Sequence, residues 1–240
     1  MVAARVKVGP VGQTFWAVVD RSTGEMRERT RLRPPGTRGD VWTESGPALV
    51  TRIEGPGVSA SLRVDADEGV WAEAECPTRD RSYVWTRKRI GPPIEIDVEL
   101  DGRRIQAIAR GVEDESAGYH PNPTEWYWSA GIGTATDGRA VGWNLVSGIN
   151  DPPTGSERAI WVEGEPYEPG PVVFDPDLGR IGFGDGSGLA FAPEAERKSR
   201  QNLGLIAYDY RQPFGTFSGS ADGIELASAI GVMEYHYARW

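Results

Sequence analysis

Apolar and polar residues alternate over many short stretches of the chain, which is the period of a β-strand with one buried face. The clearest stretch is Ile94 to Leu100, where isoleucine, valine and leucine alternate with acidic residues. Similar alternation runs from Val58 to Val64 and from Val70 to Glu75. The pattern predicts a protein built from short strands with one apolar face each.

Turn residues separate these stretches. The chain has 31 glycines and 18 prolines, and four Asp-Gly dipeptides favour tight hairpin turns. They are Asp101-Gly102, Asp137-Gly138, Asp185-Gly186 and Asp222-Gly223. A two-residue turn at Asp101-Gly102 would place Val98 opposite Ile105 and Glu99 opposite Arg104. This pairing agrees with the apolar alternation.

The only helix-like segment is Pro193 to Gln201, which lacks an apolar stripe and is expected to form a loop or one short helix. Hairpin-linked strands with almost no helix predict an all-β, antiparallel sandwich or barrel, and exclude a parallel α/β fold. Gly111 to Thr124 is the best candidate boundary. We therefore expect an N-terminal half of residues 1–118 and a C-terminal half of residues 119–240.

Composition narrows the class of protein. With 39% hydrophobic and 25% charged residues, the 240-residue chain is typical of a soluble globular protein. A net charge of -9 disfavours binding to nucleic acid. The longest stretch without charged residues is the 12 residues Val8 to Val19, which is too short for a membrane span. Cys76 is the only cysteine, so no internal disulfide is possible, and we expect a cytoplasmic location.

Tryptophans are concentrated around Asp137-Gly138. A two-residue turn there would pair Ile132 with Trp143 and Gly131 with Asn144, so that one face carries Trp126, Trp128, Ile132, Trp143 and Leu145. The other face would carry Tyr127, Ser129 and Asn144 among glycines. It would be either a ligand cavity wall with polar groups or a surface packed against a neighbouring sheet.

The C-terminal hairpin offers a candidate acid. Strand alternation after Asp222-Gly223 places Ile224, Leu226, Ile230, Val232, Glu234 and His236 on one face. If this face points inward, desolvation would raise the pKa of Glu234 and prepare it as a proton donor. The alternative is a strand end at a barrel rim, with both polar groups in water.

Other sites have weaker support. His120 lies in the boundary segment, but two histidines and scattered carboxylates show no metal-ligand spacing. The glycine-rich Gly182 to Gly188 lacks the lysine and following helix of a phosphate-binding loop, so a turn explains it better. Cys76 has no neighbouring base in the sequence and is expected to be a small buried residue. We expect neither a metal nor another cofactor.

Several motifs of the second half carry a family resemblance. They are YHPNPTEWYWSAGIG at 119–133, Asp137-Gly138-Arg139, Asn144-Leu145, PFGTFSG at 213–219 and the ending GVMEYHYARW at 231–240. With these motifs the chain resembles a bacterial family of unknown function placed with the calycins. Carotenoid hydratase (hydroxyneurosporene synthase), tocopherol cyclase and AttH-like proteins are more distant relatives of that family.

The resemblance implies two packed lipocalin-like β-barrel halves that hold a hydrophobic ligand. It also implies cofactor-free, acid-assisted hydration or cyclisation of polyene or prenyl substrates. Under this hypothesis Glu234 or His236 is the proton donor or relay. Tyr127 and Asn144 orient the ligand as hydrogen-bond donors, and Trp126, Trp128 and Trp143 form an apolar wall. Ser129 and His120 are further ligand-binding candidates.

Two other functions remain open at this point. A non-catalytic carrier or sensor of a lipid-like ligand needs the same cavity but no buried acid. A carbohydrate-binding or glycoside-cleaving protein is suggested by the nine tryptophans and the many carboxylates.

Overall fold

The computed structural model of the chain describes residues 1–9, 11–33, 37, 39–78, 82–202 and 207–239. Pro10, in the uncharged N-terminal stretch, and Trp240, the last residue of the C-terminal motif, lie outside the described residues. Every regular element within the described ranges is a β-strand, and all the strand pairs with a known register are antiparallel. The predicted all-β, antiparallel class is confirmed.

The chain divides into two compact units, and neither is continuous in sequence. Unit 1 contains residues 1–68 and 92–111, and unit 2 contains residues 69–91 and 112–240. Two long strands, β8 (Tyr83–Leu100) and β9 (Arg103–Gly118), contribute residues to both units. The division of the chain into halves at residue 118 stays a prediction.

Unit 1 contains a three-stranded sheet, β1 (Val2–Val8), β2 (Val11–Asp20) and β3 (Glu25–Arg33). Its other strands are β4 (Val41–Glu44), β5 (Ala48–Gly55) and β6 (Val58–Asp65). The residues of β8 and β9 between Pro92 and Gly111 also belong to it. Trp16, Ile53 and Val98 lie at the centre of its apolar core. The inward residues of the alternating stretches supply this core, as their pattern predicts.

The Asp101-Gly102 turn joins β8 to β9. Both residues have positive φ, 51° and 80°, as a type I′ turn requires. Asp97 accepts hydrogen bonds from Arg104 and from Gln106. The predicted hairpin turn is confirmed, and Arg104 also pairs with Asp97, two residues before Glu99.

Unit 2 is built around a sheet that has nine strands within the described residues, in the order β13-β12-β11-β10-β18-β17-β16-β15-β14. The strands are β10 (Thr124–Ala135), β11 (Ala140–Ser147), β12 (Ala159–Val162), β13 (Glu165–Tyr167), β14 (Val173–Phe174), β15 (Arg180–Gly182), β16 (Gly188–Asn202), β17 (Ala207–Ala221) and β18 (Ile224–Arg239). The short β7 (Ala72–Pro77) pairs with the first part of β8.

The nine-stranded sheet is curled around a dense apolar core. Trp143, Leu145, Phe217 and Met233 lie in this core, and the ring of Tyr127 on β10 stacks on Phe174 of β14, with the centroids 5.9 Å apart. Side chains therefore fill the inside of the curl, as in small closed sheets.

The register of β10 and β11 differs from the sequence-based pairing. Gly131 pairs with Trp143 and Ile132 with Gly142, one residue away from the expected alignment. The reason is the turn: Ala135 N–H bonds the carbonyl of Arg139, so three residues, not two, form the loop. A shift of one residue exchanges faces. The prediction that Trp143 shares a face with Trp126 and Trp128 is wrong, and so is the shared face of Asn144 and Tyr127.

Strand β18 also departs from simple alternation. Between the pairs Phe217–Ala229 and Ser220–Glu225, β17 advances by three residues and β18 by four. The pairing of β18 with β10 changes register at the same place. This bulge puts Leu226 and Met233 on the core side. Our placement of Leu226 and Glu234 on one face is therefore wrong.

Strand β16 replaces the loop or short helix expected at Pro193 to Gln201. It pairs with β17 along its whole length. Its pairing shifts between Pro193–Gly215 and Ala195–Phe214, so Glu194 is an extra residue. After the bulge, nearly all residues of the segment are polar on both faces of the strand, which is why it lacked a strand pattern.

Gly131 gives a direct test of the β10–β11 register. A Cβ on Gly131 would lie 2.2 Å from Cζ2 of Trp143, so Gly131→Ala should destabilise the protein by roughly 1 to 3 kcal/mol in urea unfolding. Gly170→Ala is the matched control, because a Cβ there meets nothing within 4 Å. Equal stability of the two variants would contradict the register.

Candidate functional site

The candidate site lies on the side of the nine-stranded sheet that faces away from the apolar core around Trp143 and Met233. We call this side the Glu234 face. Cross-strand pairs place Trp126 beside His236 and Trp128 beside Glu234. Tyr210 of β17 pairs with His236 from the other side. The structure therefore brings together four of the residues singled out in the sequence, which are Trp126, Trp128, Glu234 and His236.

Glu234 is held by two donors. The indole N–H of Trp126 donates to Oε1 at 2.9 Å, and Nε2 of Gln212 donates to Oε2 at 2.7 Å. Burial raises the pKa of Glu234 to about 7, although both hydrogen bonds favour the carboxylate. Desolvation is the largest cause of this rise. A carboxyl group with this pKa can both donate and accept a proton near neutral pH.

His236 is an uncharged aromatic group at this site. Its ring stacks on Trp126 with centroids 4.2 Å apart and an angle of 12° between the planes. Burial, together with His120, lowers the pKa of His236 to about 4. His120 lies at the outer edge, 6.5 Å from Trp126 between ring centroids, and its pKa is lowered by partial burial and by Lys88. Neutral His236 is a poor proton donor.

Arg197 and Gln212 complete the contacts behind Glu234. Nη1 of Arg197 donates to Oε1 of Gln212 and to the hydroxyl of Tyr210, both at 3.1 Å. Arg197 and Gln212 are each 4% exposed. Sequence analysis missed both, because Arg197 lay in the segment expected to be a loop or helix. Gln212 immediately precedes the motif at 213–219, and that position was the one available signal.

Asn144 is buried within the protein framework. Its Oδ1 accepts a hydrogen bond from Trp128 at 2.7 Å, and its Nδ2 donates to the backbone carbonyl of Glu157 at 2.8 Å. Both ends of the amide are thus used by protein groups. Asn144 fixes the indole of Trp128 on the Glu234 face.

Tyr127, Ser129 and Trp143 lie on the opposite side, in or against the core. Ser129 and Trp143 are fully buried, and the indole N–H of Trp143 donates to the hydroxyl of Ser129 at 3.0 Å. The structure does not bring these three residues to Glu234. Their role in ligand binding stays a prediction.

A buried lysine lies beyond the aromatic end of the site. Lys88 is 2% exposed, and its Nζ lies 2.7 Å from Asp114 and 3.7 Å from Glu157. Burial opposes its charge, but Glu157 and Asp114 outweigh burial and raise the pKa of Lys88. These contacts join three strands or loops that are distant in sequence, so no local pattern could reveal them.

An apolar strip adjoins Glu234 on the same face. Val232 lies two residues before Glu234, and it pairs with Phe214 of β17 and Ala130 of β10. Ile230 follows in the same row and is 42% exposed. Phe214 and Val232 are partly exposed as well. The strip of Phe214, Ile230 and Val232 therefore offers apolar surface directly beside a protonatable carboxyl group.

Other places are less suited to a hydrophobic ligand or to catalysis. A groove of about 330 Å³ in unit 1 is lined mainly by polar and charged side chains, among them Arg52, Asp97 and Arg104. Burial, followed by Glu157, raises the pKa of Cys76 to about 11, so its thiol is not ionised at neutral pH. Among the described residues, no three His, Cys, Asp or Glu side chains cluster as metal ligands.

Comparison with known proteins agrees with an all-β protein of this kind. Residues 48–240 match the family described as a domain of unknown function, DUF2804, and the chain belongs to that family. No curated protein sequence matches the chain significantly. No helix in the described part of the chain has the length and apolar character to cross a membrane.

Two solved structures share the fold. Kievitone hydratase from Nectria haematococca has a TM-score of 0.63 and 12% sequence identity, and the match covers 99% of this chain and 83% of that one. A putative AttH protein from Nitrosomonas europaea has a TM-score of 0.54 and 12% identity, with 97% and 84% of the two chains covered. At this identity the likeness concerns the fold.

The raised pKa of Glu234 predicts a pH-dependent difference in stability. The carboxyl ionises in the unfolded chain near pH 4.5 but in the folded protein only near pH 7, so it lowers stability increasingly between these values. Relative to the wild type, Glu234→Gln should gain about 3 kcal/mol in unfolding free energy from below pH 4.5 to above pH 7.

Urea unfolding at a series of pH values measures this difference. Glu225→Gln, an exposed position on the same strand, controls for the loss of one negative charge. If the difference in unfolding free energy between Glu234→Gln and the wild type stays constant across this range, Glu234 has the same pKa in the folded and the unfolded protein. That result would contradict the prediction.

Proposed function

We propose that the protein binds a hydrophobic polyene, isoprenoid or polyketide-like molecule on the apolar strip, and that Glu234 protonates it in a cofactor-free hydration or cyclisation. The observation that carries this proposal is the position of Glu234. A carboxyl group with a pKa of about 7 directly adjoins partly exposed Val232 and Phe214. Acid chemistry on an apolar substrate needs these two elements together.

The chemical step uses the two protonation states of Glu234. The carboxylic acid transfers its proton to one carbon of an alkene, whose π electrons form the new C–H bond and leave a cation on the other carbon. Water adds through an oxygen lone pair and loses a proton to the Glu234 carboxylate. The net reaction is addition of one water molecule, and the acid is regenerated. In cyclisation an internal hydroxyl adds in place of water and loses its proton to the carboxylate. If an internal alkene adds instead, the new cation loses a proton from an adjacent carbon to the carboxylate.

The neighbouring residues fit these roles. Glu234 is the better donor, because the pKa of His236 is about 4 and its ring is neutral when Glu234 is half-protonated. Trp126 and Trp128 present partly exposed indole rings, and such rings stabilise a nearby cation by about 0.5 to 2 kcal/mol. The positive charges of Arg197 and Lys88 are both buried and held by hydrogen-bond or ion-pair partners.

The fold comparison supports the proposal only by example. A protein of the same fold is named as a hydratase, kievitone hydratase. A shared fold does not carry a function by itself. The argument therefore depends on Glu234 and its surroundings. A carrier would use the same apolar strip, but it would not need a carboxyl group whose pKa is close to neutral pH.

Replacement of Glu234 tests the acid. After native mass spectrometry and solvent extraction have identified any bound molecule, the wild type is incubated in ¹⁸O-labelled water with that molecule and with farnesol and lycopene. Glu234→Gln should lower label incorporation, or formation of a cyclised isomer, by roughly 10²- to 10⁴-fold. The control is Glu125→Gln, because Glu125 contacts Tyr235 on the other side of the sheet.

Unchanged turnover in Glu234→Gln would overturn the catalytic assignment. Binding of an intact ligand by the wild type, with no product from any substrate tested, would instead favour the carrier.

The apolar strip has its own test. Phe214→Ala should weaken farnesol binding about tenfold in calorimetric titration, because a truncated aromatic contact costs 1 kcal/mol or more. Val173→Ala is the control, since Val173 is 70% exposed on a short strand away from the strip. Equal losses in the two variants would contradict binding at Phe214.

A further inference from the structure

The orientation of the Gln212 amide is determined by its neighbours. Arg197 has only donors, so the atom of Gln212 that faces Arg197 must be the carbonyl oxygen. The NH₂ end then faces Glu234, to which it donates at 2.7 Å. Because the other oxygen of Glu234 accepts from the Trp126 indole, both of its oxygens receive a hydrogen bond.

We propose that Arg197 and Gln212 are positioning residues that hold Glu234 as a hydrogen-bond acceptor on both oxygens and leave its acidic proton free for the ligand. The proposal rests on the proposed function of Glu234 as the acid. With both oxygens engaged by donors, the proton of the acid form lies on a lone pair that faces neither Trp126 nor Gln212. It is thereby kept from the protein groups that would otherwise accept it.

Strand pairing on both sides of β17 creates this chain of contacts. Uninterrupted pairing from Asn202–Ala207 to Ala195–Phe214 places Arg197 opposite Gln212. Without the extra residue in β18, Met233 would take the place of Glu234 opposite Gln212. Burying the Arg197 charge at 4% exposure is costly unless hydrogen bonds compensate it. The buried arginine behind the acid therefore indicates that its contacts with Gln212 and Tyr210 matter for the site.

Loss of Arg197 should change the polarity of the Gln212 amide. Once no donor holds its oxygen, the amide can rotate and accept a hydrogen bond from protonated Glu234. A hydrogen bond to the acid form stabilises that form and raises the pKa of Glu234. The arginine charge, which favours the carboxylate, is lost as well. Both effects act in the same direction.

Other charged and titratable groups face Glu234 and must be held constant in the experiment. His236 lies on the same strand, Tyr210 on β17, and Asp114 on β9, where its carboxylate is paired with Lys88. Asp114 raises the pKa of Glu234 by charge repulsion. His120 precedes β10 and contacts Trp126. None of these groups is changed in the variants below.

The test is a ¹³C NMR titration of protein labelled at the glutamate side-chain carboxyl carbon, with Glu234→Gln used to assign the Glu234 signal. Arg197→Met should raise the midpoint of Glu234 by about one pH unit. Gln212→Leu should also raise it, because it removes a donor to the carboxylate. Arg197→Lys, which can still donate to the Gln212 oxygen, should keep the midpoint near that of the wild type.

Arg211→Met is the matched control. Arg211 is the residue before Gln212, but it points to the other side of the sheet, where it pairs with Glu196 at 2.9 Å. It should leave the midpoint unchanged. An unchanged midpoint in folded Arg197→Met, or in folded Gln212→Leu should the first variant not fold, would overturn the positioning role.

The titration separates this proposal from the proposed function. If Glu234→Gln retains full turnover, Glu234 is not the acid, yet the midpoint of Glu234 still reports whether Arg197 acts on it. If Glu234→Gln is inactive and the midpoint does not move, the acid remains and the positioning role fails.

Discussion

A single-residue insertion in the pairing of β18 determines which side chains meet at the site in unit 2. The extra residue in β18 reverses the faces of that strand, so Leu226 and Met233 both reach the core while Glu234 lies on the opposite side. Regular pairing of β16 with β17 from Ala195 to Asn202 places Arg197 opposite Gln212. A β18 strand without the insertion would place Met233 there and bury other residues. The site therefore depends on one local irregularity that the regular pairing on either side keeps in place.

The low solvent access created by this pairing explains the unusual charge states. Two good hydrogen bonds from Trp126 and Gln212 should favour the Glu234 carboxylate, yet the cost of desolvation exceeds that gain and the pKa rises to about 7. The same cost lowers the pKa of His236 to about 4. One apolar environment thus makes the carboxyl group protonatable and the imidazole neutral. Burial, more than residue type, therefore makes Glu234 the acid and His236 a neutral aromatic group beside it.

Much of the fold was predictable because its information is local. Alternation and Asp-Gly turns indicated antiparallel strands, and Asp101-Gly102 and Asp222-Gly223 both form the expected type I′ turns with positive φ at both residues. At Asp137-Gly138 only the glycine has positive φ, and the longer loop shifts the register by one residue. A sequence alone does not distinguish a two-residue from a three-residue loop, yet that difference decides the faces of Trp143 and Asn144.

The site was only partly predictable for a related reason. Glu234, His236, Trp126 and Trp128 could be found from composition and position, since acids and aromatic residues on one strand face are visible in the sequence. Arg197, Gln212 and Lys88 could not, because each acquires its role from a partner on another strand. The hydrogen bond from Gln212 to Glu234 requires that β17 and β18 pair in the right register. It also requires a donor, Arg197, to the side-chain carbonyl oxygen of Gln212. Bulges supply part of that register, and because they break alternation they remove the pattern by which such residues could be recognised.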